Sequence, residues 1–451
     1  MRQAFLVLFV MGFSLFTFTK SLHSAPPSKA ASAVGSLPVA KPEEVGFSSE
    51  RLQRIHDAMQ RHIDAGEIAG VVTLVARNGR IVYFEPQGWA DVDTKRPMQK
   101  DSVFNWASAT KPMTATAVLM LVEEGKIHPD DPVSKFIPEF KDAKVRILKP
   151  GATLEAPAFQ PGSAIPLAPS NESPLASSEL VRADHDITIR DLLTHTSGLM
   201  SLGVPNPAAP PADDLLSTTL AGMMPRFAAV PLDFQPGTKW AYSNWAGFDI
   251  LARIVEIASG KTFDQFLKER LFEPLGIRDT GFDPFDDNRA SRVAIRYAVV
   301  KGGGIKKADL PTPWSRAKNY YSGAAGLSGT TEDYWRFMQM LANGGEFNGK
   351  RILSPGVVEL MSSNHVGDLF PGAQGFVKAG TGFGYGVQVV VNRVAGDQLL
   401  PNGTFGWVGA SGCDGLANLK ENIVLVFMVG GGANATARVD FHNTAMQAFV
   451  Q

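Results

Sequence analysis

The chain has 451 residues, 44% of them hydrophobic and 19% charged, with a formal net charge of -1. That balance is ordinary for a globular protein, and a near-zero charge gives no footprint for nucleic acid or an anionic membrane surface. Cys413 is the single cysteine, so no internal disulfide can form.

At the N-terminus Arg2 precedes an apolar run from Ala4 to Phe18, then Lys20 and a small polar stretch through Ser24 and Ala25. A charged start, a short apolar core and a small-residue end describe an export signal. The run is shorter than the ~20 apolar residues of a membrane span; left uncleaved, it would be an N-terminal membrane anchor. Pro26 to Pro38 is rich in Ala, Ser and Pro and reads as a linker. Residues 1–32 are therefore assigned to signal peptide and linker. An exported chain without disulfides suits a bacterial periplasm or exterior.

From Ser48 to Ala65, Leu52, Ile55, Met59 and Ile63 recur at helical spacing, with Ser48 or Ser49 as N-cap. The runs Gly70–Arg77 and Arg80–Phe84 flank Asn78-Gly79, a strong hairpin signal. Ser108–Glu124, Trp245–Ser259 and Phe263–Leu271 read as helices. Between them, residues 148–184 are dense in Pro, Ala and Ser without a period. Such a stretch is a surface flap or a tolerated disordered insertion. Sheet character returns at Tyr385–Val391 and Asn422–Val429, with helices at Thr330–Asn343 and Ala437–Val450. The expected fold is α/β of the α+β type, a mostly antiparallel sheet flanked by helices and built from both chain ends. An α/β domain over 33–112 and 290–451 would carry an inserted all-helical domain over 113–289.

Ser108-Ala109-Thr110-Lys111 opens the helix that runs on through Leu119. Residues i and i+3 share a helix face, so the Lys111 ammonium can reach the Ser108 hydroxyl. A serine at a helix start also sits among outward-pointing N–H groups that favour developing negative charge. Those are the needs of an acyl-transfer nucleophile. Alone, the motif reads more readily as an N-cap serine beside a solvated lysine.

Further elements stand in order behind it. Tyr242-Ser243-Asn244 follows Phe234-Gln235-Pro236-Gly237-Thr238; Val103–Ala107 is an apolar lead-in to the serine; DITIRDLLTHTSGL occupies 186–199; the stretch Gly326–Leu341 is followed by GGEFNGKRILSP. Together these resemble the serine β-lactamase and penicillin-binding-protein superfamily, in particular class C β-lactamases, family VIII carboxylesterases and related D-alanyl-D-alanine peptidases, over roughly Val45 to Val429. The resemblance implies Ser108 as nucleophile, Lys111 and Tyr242 as the proton-accepting pair, and Asn244 as a ligand of substrate and Lys111. Where β-lactamases usually carry K-T-G or H-x-G, this chain has Trp407-Val408-Gly409 followed by Ala410. W-x-G is typical of the esterase branch, with Trp407 at the substrate and Ala410 in the oxyanion hole beside Ser108. On its own residues, Trp407 reads equally as a core aromatic at a strand end.

Without a cation there, a substrate carboxylate loses a charge-assisted contact of ~1.5–3 kcal/mol. The expectation is thus an exported serine hydrolase cleaving small carboxylic esters. Its alternatives are a D-alanyl-D-alanine carboxypeptidase or β-lactamase acting on amides and β-lactams, and more remotely a non-catalytic module. No metal or organic cofactor is expected. No G-x-S-x-G elbow and no H-E-x-x-H spacing occurs. His195 in THTSG reads as a structural tie between the turn and neighbouring backbone, and Cys413 as a packed small residue.

Overall fold

Hydrophobic period and turn chemistry set the frame of the computed structural model, which describes residues 37–149, 178–201, 208, 210, 214, 217–286, 288–300, 303–308, 318–370, 379–431 and 435–450. The expected export leader falls outside these residues. Val39–Gln451 forms one compact unit, and every described helix and strand lies in it. Among the described residues no helix is long and apolar enough to cross a membrane.

Helix α1 (Ser49–Asp64) starts where Ser48 accepts a hydrogen bond from the Arg51 N–H, a cap worth about 1 kcal/mol. Its apolar stripe of Leu52, Ile55 and Met59 is fully buried. Strands β1 (Gly70–Arg77) and β2 (Arg80–Asp91) form the hairpin about Asn78-Gly79, both in left-handed conformations, as a two-residue turn of this kind requires. Pairing with β3 (Arg96–Pro97) continues the sheet.

The late strands complete it. These are β4 (Thr381–Phe383), β5 (Gln388–Val390), β6 (Thr404–Val408), β7 (Asp414–Asn418) and β8 (Ile423–Val429). The eight strands run β4-β5-β6-β7-β8-β1-β2-β3, every pair antiparallel. The seam between the chain's ends is β8 on β1, in register Val71↔Val429 through Arg77↔Ile423. β8 is buried on both faces, which explains why its sequence is an unbroken apolar run rather than an alternation. One face packs α1 and the C-terminal helix Ala435–Gln447 through Ile55, Val75, Phe427 and Phe441. The helix Thr331–Ala342, capped by Thr330, covers β7 and β8 on the other.

The insertion differs in part from expectation. Residues 150–177 lie outside the described residues, but Ser178–Arg182 at its end pairs antiparallel with Lys144–Leu148. The pair is pinned at its middle by Arg146 to Asp233 at 2.8 Å, both side chains buried. Composition could not show this, because strand pairing across about 30 residues leaves no local period. The expected helix over Phe263–Leu271 is an α-helical turn, Phe263–Leu267, continued as a π-helix over Lys268–Phe272.

Candidate active site

The approach to Ser108 is built from the sequence outward. Phe104 and Asn105 pair with Gly329 and Ser328, and fully buried Trp106 meets Tyr334 edge-on, ring centroids 4.8 Å apart. Ala107 then takes φ +47, a conformation costly for a residue with a Cβ and found where surrounding packing imposes it. Ser108 follows inside a 3-10 turn, Ala107–Thr110, before helix α2 (Lys111–Glu123) begins. The expected single helix over Ser108–Glu124 is therefore split, and Pro112 is the reason. It has no N–H to return to the Ser108 carbonyl in α fashion. That carbonyl takes the Lys111 N–H instead, the shorter i+3 bond of a 3-10 turn.

Lys111 is wholly buried. Its Nζ donates to Ser108 Oγ at 3.2 Å, to the Asn244 main-chain carbonyl at 2.7 Å and to the Ala324 carbonyl at 3.1 Å. Three acceptors match the three donors of an ammonium. The same nitrogen lies 5.0 Å from the centroid of the Tyr242 ring and 5.5 Å from that of Phe248, within cation–π range. The contact between Asn244 and Lys111 is made through the Asn244 main-chain carbonyl.

Tyr242 is clamped on both sides by one residue. The main-chain carbonyl of His195 accepts the Ala241 N–H at 3.0 Å, and its Nδ1 accepts the Ser243 N–H at 3.2 Å. The imidazole also meets the Tyr242 ring edge-on, centroids 4.6 Å apart. Burial, aided by the nearby charge of Lys111, holds the His195 pKa well below the usual value of 6.5. The ring is thus neutral and its Nε2 bears the proton. His195 sits at φ +58, as expected of a residue chosen for its tie to the backbone.

The phenol oxygen of Tyr242 accepts a hydrogen bond from Trp407 Nε1 at 3.2 Å. Trp407 lies on β6 opposite Gly415. With Trp240, Phe370, Phe383 and Val366 it forms a buried aromatic wall around Tyr242. Just past the strand, a Cβ at Gly409 would fall 2.0 Å from the Trp106 carbonyl oxygen. Only glycine lets the end of β6 close on the nucleophile's turn. Ala410 follows at an exposed turn, and Cys413 behind it is fully buried with its thiol raised to about 11 by burial, a packed residue rather than a reactive one.

Two participants were not picked out in the sequence. The Ala324 carbonyl belongs to a glycine-rich stretch with no side chain to announce it. Asp249 lies fully buried on the helix α3 (Ala246–Ser259) and accepts from Tyr320 Oη at 2.7 Å, Ser322 Oγ at 2.7 Å and the Ala324 N–H at 3.0 Å. Its one sequence signal is a lone acid among apolar residues, seven places after Tyr242. Among the described residues no group of three or more His, Cys, Asp or Glu could hold a metal ion.

A half-buried serine hydroxyl touching a buried lysine, a tyrosine locked beside that lysine and a strand end close to the serine are an arrangement with the parts that acyl transfer needs. Comparison with known proteins agrees in kind. Esterase EstB of Burkholderia gladioli is 30% identical over 80% of this chain and 85% of its own. A putative D-alanyl-D-alanine carboxypeptidase of Escherichia coli K12 is 27% identical over 76% of each. Among solved structures, EstCE1, a hydrolase with promiscuous acyltransferase activity, superposes with TM-score 0.70 at 27% identity, covering 88% of this chain and 99% of that one. The Beta-lactamase family model matches residues 55–448, and the chain belongs to that family of serine hydrolases.

Proposed function

We propose that this enzyme cleaves small carboxylic esters through an acyl-enzyme on Ser108. The observation that carries the reading is the Ser108–Lys111 contact of 3.2 Å beside a Tyr242 whose oxygen is held by an indole rather than by a cation. In this reading the Lys111–Tyr242 pair takes the Ser108 proton as Oγ attacks the ester carbonyl. The carbonyl oxygen turns toward the N–H groups of Ser108 and Ala410. Tyr242 returns a proton to the departing alkoxide, then accepts one from the water that attacks the acyl-enzyme and passes it to Ser108 Oγ as the acid leaves.

Ester selectivity follows from the far wall. Trp407 offers an apolar face and one N–H donor, and that donor is already engaged by Tyr242. A β-lactam or D-Ala-D-Ala carboxylate finds no charge at this position, whereas an uncharged ester needs none. The esterase named among the relatives supports the same preference. The apolar run from Ala4 to Phe18 supports export of the enzyme, which fractionation of producing cells checks.

The test is a panel of p-nitrophenyl acetate, p-nitrophenyl butyrate, nitrocefin and a D-Ala-D-Ala peptide, run with wild type and Ser108→Ala. Ester turnover well above the other two, abolished by Ser108→Ala, is the expected result. Faster nitrocefin or peptide cleavage would reassign the substrate class, and full activity in Ser108→Ala would end the acyl-enzyme reading.

A further inference from the structure

We propose that Asp249 is the positioning residue and counter-charge of Lys111, acting on it through Ala324. This rests on the Ser108–Lys111–Tyr242 reading above and extends it to a residue that touches none of the reacting atoms.

The geometry is a relay. Asp249 Oδ1 takes the Ala324 N–H at 3.0 Å and the Ser322 hydroxyl at 2.7 Å, while Oδ2 takes the Tyr320 phenol at 2.7 Å. The carbonyl of the same Ala324 accepts from Lys111 Nζ at 3.1 Å. Ser322 Oγ also lies 3.3 and 3.2 Å from the N–H groups of Ala324 and Ala325, and Thr114 on α2 donates to the Gly323 carbonyl at 2.6 Å. Residues 320–325 are thus stitched to α3 by one carboxylate and to α2 by Thr114 and Lys111. The glycine in this stretch is required, since a Cβ at Gly323 would lie 2.6 Å from the Phe248 carbonyl oxygen.

A fully buried carboxylate is costly unless it is paired or well hydrogen-bonded. Asp249 has three donors, and Lys111 is the cation acting on it. Burial nevertheless pushes its pKa up to about 6, against the opposing pull of Tyr320, Ser322, the Ala324 N–H and Lys111. Other charged or titratable groups in this neighbourhood are Tyr320, raised by burial and by Asp249, Glu256, which acts on Tyr320, and His195, lowered by burial and by Lys111. Among the described residues Lys111 meets no carboxylate directly; its three acceptors are a hydroxyl and two carbonyls. Asp249 supplies the negative charge one residue away.

The consequence has a definite sign. An ionised Asp249, with Lys111 as the cation acting on it, favours the more positive, proton-bearing form of the site it faces. Removing that charge lets the site lose its proton at lower pH.

The test is the pH dependence of kcat/KM and of kcat for p-nitrophenyl butyrate in wild type, Asp249→Asn and Tyr320→Phe, with thermal melts alongside. In Asp249→Asn the acidic limb is expected to move to lower pH by about one pH unit. The plateau kcat should fall about tenfold with KM little changed, because the amide offers one acceptor oxygen where the carboxylate offered two, and its NH2 meets a hydroxyl that had been donating. Tyr320→Phe keeps the carboxylate but removes one donor favouring its charged form; the limb should move the same way by less. A purely structural Asp249 would lower the melting temperature and leave the limb in place, and that outcome overturns the proposal. If Asp249→Asn does not fold, Tyr320→Phe decides alone, an unmoved limb counting against it. Activity surviving in Ser108→Ala would sink the acyl-enzyme reading; an unmoved limb with Ser108→Ala inactive sinks only the role of Asp249.

Discussion

Trp407 Nε1 donates to the phenol oxygen of Tyr242 at 3.2 Å, with their ring centroids 5.3 Å apart and the planes tilted by 45°. The residue standing where the resemblance led one to expect a cation is therefore bonded to the group expected to shuttle the proton. A donor on the phenol oxygen fixes where that oxygen points and favours any negative charge it develops. Trp407→Phe keeps an aromatic ring against Phe383 and removes the donor. A neutral hydrogen bond is worth about 1 kcal/mol, so kcat/KM for p-nitrophenyl butyrate should fall about fivefold, mostly in kcat. An unchanged kcat would show that the bond only packs the wall.

Gly409 is tested by the smallest substitution. Gly409→Ala places a methyl group 2.0 Å from the Trp106 carbonyl oxygen and near Ser411 Oγ, and backbone is on the receiving side of the clash. Either the end of β6 or the turn before Ser108 must retreat. Overpacking of this kind costs about 1–3 kcal/mol. The expected result is a lower melting temperature together with at least a tenfold loss of kcat. A variant with wild-type turnover would show that the close approach is not needed for catalysis.

How far the molecule could be read in advance depended on whether the relevant contact was local. Ser108 and Lys111 lie three residues apart, so their meeting follows from helical pitch. The hairpin about Asn78-Gly79 and the cap at Ser48 were legible for the same reason. Tyr242 entered only through resemblance, since nothing in the long intervening chain says where it returns. The Asn244 and Ala324 carbonyls were out of reach of any side-chain motif, because every residue type has that atom. Pro112 did announce the 3-10 turn at Ser108: its missing N–H could have been followed to the carbonyl left for Lys111. The strand at Ser178–Arg182 pairs across the insertion, and Pro and Ala composition conceals such pairing.

Lys111→Met keeps the length of the side chain and removes its donors. It takes away the hydrogen bond to Ser108 and leaves the carbonyls of Asn244 and Ala324 without their buried partner. Loss of a general base costs about 10²–10⁴-fold in rate. Turnover of p-nitrophenyl butyrate should fall within that range while KM changes little, and fluorophosphonate labelling of Ser108 should slow in parallel. Labelling at the wild-type rate would show that Ser108 is activated without Lys111.

His195 allows a prediction about stability against pH, with its sign set by burial. Its ring is enclosed by Trp240, Tyr242, Phe248 and Phe383, and its pKa is held well below 6.5, first by burial and then by the charge of Lys111. In the unfolded chain it regains an ordinary value near 6.5. Below that pH the unfolded state binds a proton that the native state refuses, so this residue's contribution to stability is full above about 6.5 and declines as pH falls. His195→Ala removes that dependence, and also leaves the buried Ser243 N–H without its acceptor, at a cost of about 1–3 kcal/mol. The variant should thus melt below wild type at pH 7.5, and the gap should narrow by pH 5.5. Asp249, with its pKa near 6, titrates in both proteins and cancels in the comparison to the extent that its surroundings are unchanged. A gap that stays constant or widens on acidification would mean that His195 is protonated in the folded enzyme, and its Nδ1 could then no longer accept the Ser243 N–H that holds Tyr242 in place.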